Sequence, residues 1–190
     1  MAGFYLALLR GINVGGKNKV PMAELRACFD ELGYGNVQTY IASGNVIFES
    51  SKNSAELTEE IQRVLPKKFK LDSGSIKTLV LSHAQLEEVV NKAPRGFGSE
   101  PDKYHSDAIF LMGISSDEAI KVFNPREGVD KVWQGELAIY SQRLSAQRTK
   151  SRLSKSMSSP LYKHMTIRSW VTTARLLELM NAIDVNEIVD

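Results

Sequence analysis

The chain of 190 residues holds a single cysteine, Cys28, which excludes an internal disulfide and any multi-thiolate zinc or iron–sulfur centre and suits a reducing compartment. It has no long hydrophobic run. Phe4 to Leu9 is six apolar residues ending at Arg10, against the roughly 20 that a membrane span requires, so neither an anchor nor a signal peptide is expected and the cytoplasm is the expected location. Its three histidines, His83, His105 and His164, lie far apart, and none has a second ligand one helical turn away. No metal site and no cofactor is expected. There is no GxSxG, Ser43 before Gly44 is explained by turn propensity, and Cys28 beside the apolar stripe of a helix reads as a buried, inert thiol. The acidic neighbours Glu59 with Glu60 and Glu87 with Glu88 do not share a helix face, so they read as solubilising charge.

Acids are also missing by position. The 24 Lys and Arg nearly balance the 22 Asp and Glu, yet no acid occurs before Glu24 and none between Glu136 and Glu178. The later gap carries eight bases, Arg143, Arg148, Lys150, Arg152, Lys155, Lys163, Arg168 and Arg175, and leaves the rest of the chain with an excess of acids. Such a stretch concentrates positive potential and attracts phosphates unless acidic helices neutralise it across space.

What is present is a globular composition, 43% apolar and 24% charged, with clear element signals. Phe4 to Leu9 reads as a buried strand. Pro21, the spacing of Met22, Leu25, Phe29 and Leu32, and Gly33 delimit a helix. Val37 to Ala42 and Val46 to Glu49 form a hairpin around Ser43, Gly44 and Asn45. Asn53 with Glu56 starts a second helix along Leu57, Ile61 and Leu65 that Pro66 is expected to stop, and Ile76 to Leu81 is the next strand. This strand, helix, strand, strand, helix, strand order is ferredoxin-like. Capping-box pairs, Ser82 with Gln85 and Ser115 with Glu118, place helices at 83–92 and 116–123, with a loop from Ala93 to His105 between. From about Ala108 the order begins again: a strand Asp107 to Met112, a hairpin of Val132 to Trp133 with Leu137 to Tyr140 around Gln134 and Gly135, one short helix over Ser151 to Tyr162, and no recognisable final strand. A longer helix covers Trp170 to Ile183, and the extreme C-terminus is expected to fray. The expected fold is α+β, two ferredoxin-like βαββαβ-type halves, the second incomplete, plus C-terminal helices, with the halves at 1–92 and 93–190.

Gly11 to Lys17 matches GxxxxGK after a strand, but Asn18 stands where a P-loop needs a hydroxyl for magnesium, and Val20 before Pro21 is biased away from helix. An RNA-recognition module is disfavoured because Asn45 to Phe48 lacks its basic and aromatic pattern. A milder reading keeps Asn13, Lys17, Lys19 and the amides of Gly15 and Gly16 as anion contacts.

The run Ala7 to Gly16 (ALLRGINVGG), then Val20 to Arg26 (VPMAELR), Thr39 to Val46 (TYIASGNV), Val132 to Gly135 (VWQG) and Met165 to Trp170 (MTIRSW) resembles the bacterial family known as domain of unknown function 1697 over essentially the whole chain. One departure is visible: after the arginine the family pattern usually reads Asn-Trp-Asn-Thr, where this chain has Ser169, Trp170, Val171 and Thr172. The resemblance implies an α+β fold similar to paired ferredoxin-like units and brings no activity, substrate or catalytic residue.

The functional expectation is binding of an anionic ligand, a phosphorylated small molecule or a single-stranded nucleic acid, with Arg10, Lys17, Lys19, Lys150, Arg152, Lys155 and Arg168 supplying charge and Asn13, Gly15, Gly16, Ser43 and Asn45 supplying neutral donors. The alternatives are an enzyme acting on a phosphorylated or carboxylated substrate, without an identifiable base or nucleophile, and a homo-oligomeric or scaffold protein.

Overall fold

The computed structural model describes residues 2–187. The expected fraying of the extreme C-terminus lies outside the described residues. The chain forms two compact units, one reaching to Leu86 and resuming at Leu176, the other running from Glu87 to Arg175.

In the first unit, β1 (Gly3–Leu9), α1 (Met22–Glu31), β2 (Gly35–Tyr40), β3 (Asn45–Ser50), α2 (Ser54–Lys68) and β4 (Thr78–Ser82) build an antiparallel sheet in the order β2-β3-β1-β4. This is the split βαβ order that the sequence predicts. The helices are stitched to one face by period: Ala7 and Leu9 alternate along β1, while Leu25 and Phe29 on α1 and Leu57, Ile61 and Leu65 on α2 recur every four residues, all buried in one cluster. Phe48 anchors it, with Phe29 edge-on at 5.3 Å and Tyr34 stacked at 4.7 Å between ring centres. The α2 start is a capping box: Asn53 Oδ1 accepts from the N–H groups of Ala55 and Glu56 at 3.0 Å, and Glu56 Oε2 accepts from the Asn53 N–H at 3.0 Å. Pro66 does not stop this helix. It sits in the last turn, where its missing N–H removes one bond, and the Phe69 N–H still reaches the Leu65 carbonyl at 2.9 Å.

The second unit contains β5 (Tyr104–Leu111), α4 (Ser116–Ile120), β6 (Asp130–Gln134), β7 (Ala138–Leu144) and β8 (Met165–Ser169) in the order β6-β7-β5-β8, which repeats the first sheet strand for strand. α3 (His83–Asn91) and α5 (Trp170–Glu187) are divided between the units. β8 is the final strand the sequence hides. Thr166 and Arg168 are buried and Ile167 is exposed, so its alternation of polar and apolar residues is inverted relative to burial. α4 closes at Ile120 rather than 123, because the next N–H groups, of Val122 and Phe123, turn back three residues to Ala119 and Ile120.

Between β7 and β8 the expected single helix is instead three 3-10 turns, Ser145–Lys150, Leu153–Ser158 and Pro160–His164. Serine is the reason. The hydroxyls of Ser156 and Ser158 donate to the carbonyls of Leu153 and Lys155, each at 2.7 Å, and the Ser159 hydroxyl accepts from the Leu161 N–H at 3.2 Å, so the side chains compete with an α-helical ladder.

Candidate anion-binding site

The Gly11 to Lys19 loop is internally braced. Asn13 Oδ1 accepts from the Val20 N–H at 2.8 Å, and its Nδ2 donates to the carbonyls of Val20 and Ala42, each at 2.9 Å. Asn18 does the same from the other side: Nδ2 donates to the Gly11 carbonyl at 3.0 Å, Oδ1 accepts from the Ser73 N–H and hydroxyl at 3.1 Å, and its own N–H donates to Asp72 Oδ2. At the tip, the Lys17 N–H donates to the Val14 carbonyl at 3.0 Å across Gly15 and Gly16, whose φ values of 59° and 77° give a two-residue hairpin turn. The loop is therefore a small stapled hairpin and not a phosphate-wrapping P-loop. Lys17 and Lys19 remain exposed on it.

The neighbouring neutral donors are spent on the fold. Asn45 is fully buried and its Nδ2 donates to the Tyr40 carbonyl and to Ser43 Oγ, both at 2.9 Å, which closes the turn between β2 and β3. Gly44 is obligatory there: a Cβ would stand 2.8 Å from Leu9 and Ile12 carbons, at a φ of 79°. Arg10 is half-buried, and its N–H donates to the Lys77 carbonyl at 2.9 Å.

Lys150, Arg152, Lys155 and Arg168 belong to the second unit, and Arg10, Asn13, Gly15, Gly16, Lys17, Lys19, Ser43 and Asn45 to the first. On the 3-10 turns Arg148, Lys150 and Lys155 are exposed and Arg152 is half-buried. Among the described residues no carboxylate stands within ion-pair distance of any of the four. The turns are held to the sheet by Asp130, 5% exposed, whose Oδ2 accepts from the N–H groups of Arg152 at 2.8 Å and Arg126 at 3.0 Å. Burial opposes charge on this carboxyl, but the Arg152 and Arg126 amides and the nearby Arg143 guanidinium outweigh it and hold Asp130 below its ordinary range.

Arg168 departs from the expected role. It is 6% exposed on β8 opposite Ala108, its Nη1 donates to Thr166 Oγ1 at 3.0 Å and the Ile167 carbonyl at 2.9 Å, and burial brings its pKa down to about 10. It is a structural cation rather than a displayed one.

Sequence reasoning missed a titratable cluster on the same sheet. His105 and Asp107 are two apart on β5, so the strand period puts them on one face, where His105 Nε2 lies 3.1 Å from Asp107 Oδ1. Arg143 stands opposite His105 in the ladder, and Asp130 opposite Arg143. Burial pushes the Asp107 carboxyl up, while His105 and Arg143 pull it back. An imidazole steered by a carboxylate can move protons. The Ser169 hydroxyl across from Asp107 does not extend it, since it donates to Thr172 Oγ1 at 2.9 Å. A histidine search by period two would have found the pair. Elsewhere, burial pushes the Cys28 thiol up, which disfavours its thiolate. Among the described residues no three His, Cys, Asp or Glu side chains converge as metal ligands, and no helix is long and apolar enough to cross a membrane.

Comparison with known proteins returns a family described as "Protein of unknown function (DUF1697)", matched over residues 3–140. A solved structure described as a conserved bacterial protein, SP0830 from Streptococcus pneumoniae, is similar at 29% identity, with a TM-score of 0.81 over 95% of this chain and 99% of that one. No curated protein matches the sequence.

Proposed function

We propose, for a chain that belongs to the DUF1697 family of proteins of unknown function, that the second unit binds phosphate-bearing anionic ligands on its 3-10 turns. The observation that carries this reading is the set of un-neutralised cations at Arg148, Lys150, Arg152 and Lys155, with no carboxylate among the described residues close enough to pair with them. Surface bases are ordinarily interspersed with acids. Acids are absent from this stretch of the sequence, and the exposed hydroxyls of Thr149 and Ser154 lie between the bases to act as neutral donors. Short 3-10 turns suit such a surface, because their backbone is already bonded and the long side chains are free to reach a ligand. The reading uses only the second unit; Lys17 and Lys19 stand in the first and are not drawn upon.

The test is fluorescence anisotropy of a labelled mixed-sequence single-stranded RNA over a salt series, with calorimetric titration of inorganic pyrophosphate beside it. Binding of the RNA should weaken with a slope of about −0.7 per phosphate contacted, and Lys150→Gln with Lys155→Gln should make the slope shallower by roughly one contact each. Pyrophosphate binding without RNA binding would assign the surface to small phosphorylated ligands. Silence in both titrations at low salt overturns the reading.

A further inference from the structure

On the second unit, the loop of residues 94–100 and the N-terminal part of β5 border a cavity of about 240 Å³ with Trp133 and Gln142 in its wall. We infer that this cavity is a nucleotide site, which takes one planar heterocycle between aromatic walls and its phosphate at a basic rim. The inference does not rest on the 3-10 turns, which contribute none of the lining.

The wall is rigid and aromatic. Phe97 is the hub: it meets Trp133 edge-on at 5.8 Å, Tyr140 at 5.5 Å and Trp170 at 5.0 Å between ring centres. Tyr140 is pinned in turn by its hydroxyl, which donates to the Val89 carbonyl at 2.7 Å. Trp133 is the half-buried outer member, and Tyr104 faces the same cavity. The loop that carries Phe97 is shaped by glycine. Gly98 has a φ of 75°, and a Cβ on it would stand 1.9 Å from Trp170 Cδ1, so no other residue fits. Rings held in this way offer stacking faces at little entropic cost.

The wall also contains an oriented polar group that faces the cavity. Gln142 is 7% exposed, and its Nε2 donates to Ser106 Oγ at 3.0 Å. That bond fixes the amide, and among the described residues Oε1 accepts nothing, although Gln142 lines the cavity. The amide oxygen opens to the cavity, where water or a ligand N–H can donate to it. A heterocycle bearing an N–H or amino group supplies that donor. The rim supplies the charge. Arg95 and Lys131, the latter directly opposite Gln142 in the ladder, are exposed, and no described carboxylate pairs with either; the acidic Glu100 on the rim is held by Lys103 at 3.4 Å. The volume is below the roughly 300 Å³ where drug-sized pockets begin, which fits a single ring system rather than an oligosaccharide or a fused cofactor.

Free nucleotides and the residues of a single strand share this chemistry, and the experiment separates them. Isothermal titration and tryptophan fluorescence of the full chain would follow ribonucleoside 5′-monophosphates, the parent nucleosides, inorganic phosphate and a short oligoadenylate. The expected result is saturable binding with tryptophan quenching by at least one monophosphate or by the oligoadenylate. Arg95→Ala and Lys131→Ala should each weaken it about tenfold, and Gln142→Met should change which base is preferred. Nucleosides and phosphate alone should each bind at least tenfold more weakly. Binding of monophosphates assigns the cavity to a free nucleotide; binding of the oligoadenylate alone assigns it to a strand, provided the same two rim substitutions weaken it. Absence of any nucleotide binding, or binding that survives both rim substitutions while circular dichroism shows the variants folded, overturns the site. Tryptophan quenching reports the cavity, where Trp133 stands in the wall, and pyrophosphate titration reports the turns, so this inference and the one built on the 3-10 turns fail separately.

Discussion

Two stretches occupy the same place in the two sheets, the link between the third and fourth strands. In the first unit that link contains α2, whose Leu57, Ile61 and Leu65 are buried under the sheet. In the second it is the three 3-10 turns, where Leu153 and Ser156 are the buried residues and most others face solvent. The strand order is the same, so the scaffold does not dictate what the crossover must be. Apolar residues at helical spacing made one link into core, and serines with bases made the other into a charged surface. The second unit covers its sheet in other ways, with α4 and with Leu161 and Tyr162 at the end of the turns. A link released from packing is free to carry function.

The sharpest way to break the comparison is to remove apolar volume from both links. Ile61→Ala should cost about 2–5 kcal/mol by chemical denaturation, as for a fully buried aliphatic side chain whose site cannot collapse. Leu153→Ala should cost about half as much, because the residue keeps 8% exposure on a short turn whereas Ile61 is fully buried. Equal costs would mean that the turns are core after all.

Asp130 is what the second link has in place of a stripe. Asp130→Ala leaves the part-buried N–H groups of Arg126 and Arg152 without their acceptor, and should cost about 1–3 kcal/mol at neutral pH. The sign of its pH dependence follows from its depressed folded pKa. The contribution is present above the ordinary carboxylate range and is lost as pH falls through the folded value, so the gap between wild type and variant should close in acid. Asp107, raised by burial, has the opposite sign: its contribution is present below the ordinary range and fades as pH rises through the raised value. In a pH series of denaturation midpoints, the difference between wild type and Asp130→Asn and the difference between wild type and Asp107→Asn should therefore slope in opposite directions.

These contrasts also show what was legible in the sequence. The first unit could be read because its signals agree: Asn53 with Glu56 caps α2, the i, i+4 apolar residues face the sheet, and Gly44 marks the hairpin turn. β8 was illegible because burial of Arg168 and exposure of Ile167 reverse the usual pattern, a choice made by tertiary structure and not by propensity. The basic segment was legible as charge but not as structure, since serine-to-backbone bonds are invisible to a period search. Asn13 and Asn45 look like ligand donors in sequence, yet their amides are used by carbonyls brought in from residues 20, 40 and 42. Arg143, beside the His105 and Asp107 pair, and the Gln142 cavity were missed for a shared reason: both depend on strand register, which the sequence alone did not supply.

The smallest expected effect tests the comparison from the other side. Lys150 and Lys155 are exposed and unpaired among the described residues, so Lys150→Gln and Lys155→Gln should each change stability by less than about 0.5 kcal/mol. Removing a like charge from a crowded basic stretch can even stabilise it slightly at low salt, and that gain should vanish as added salt screens the repulsion. A segment retained for packing would respond in the reverse way, losing stability with each substitution and showing no dependence on salt. Denaturation of the double variant at low and high ionic strength therefore separates a link that holds its unit together from one that is held in place to present charge.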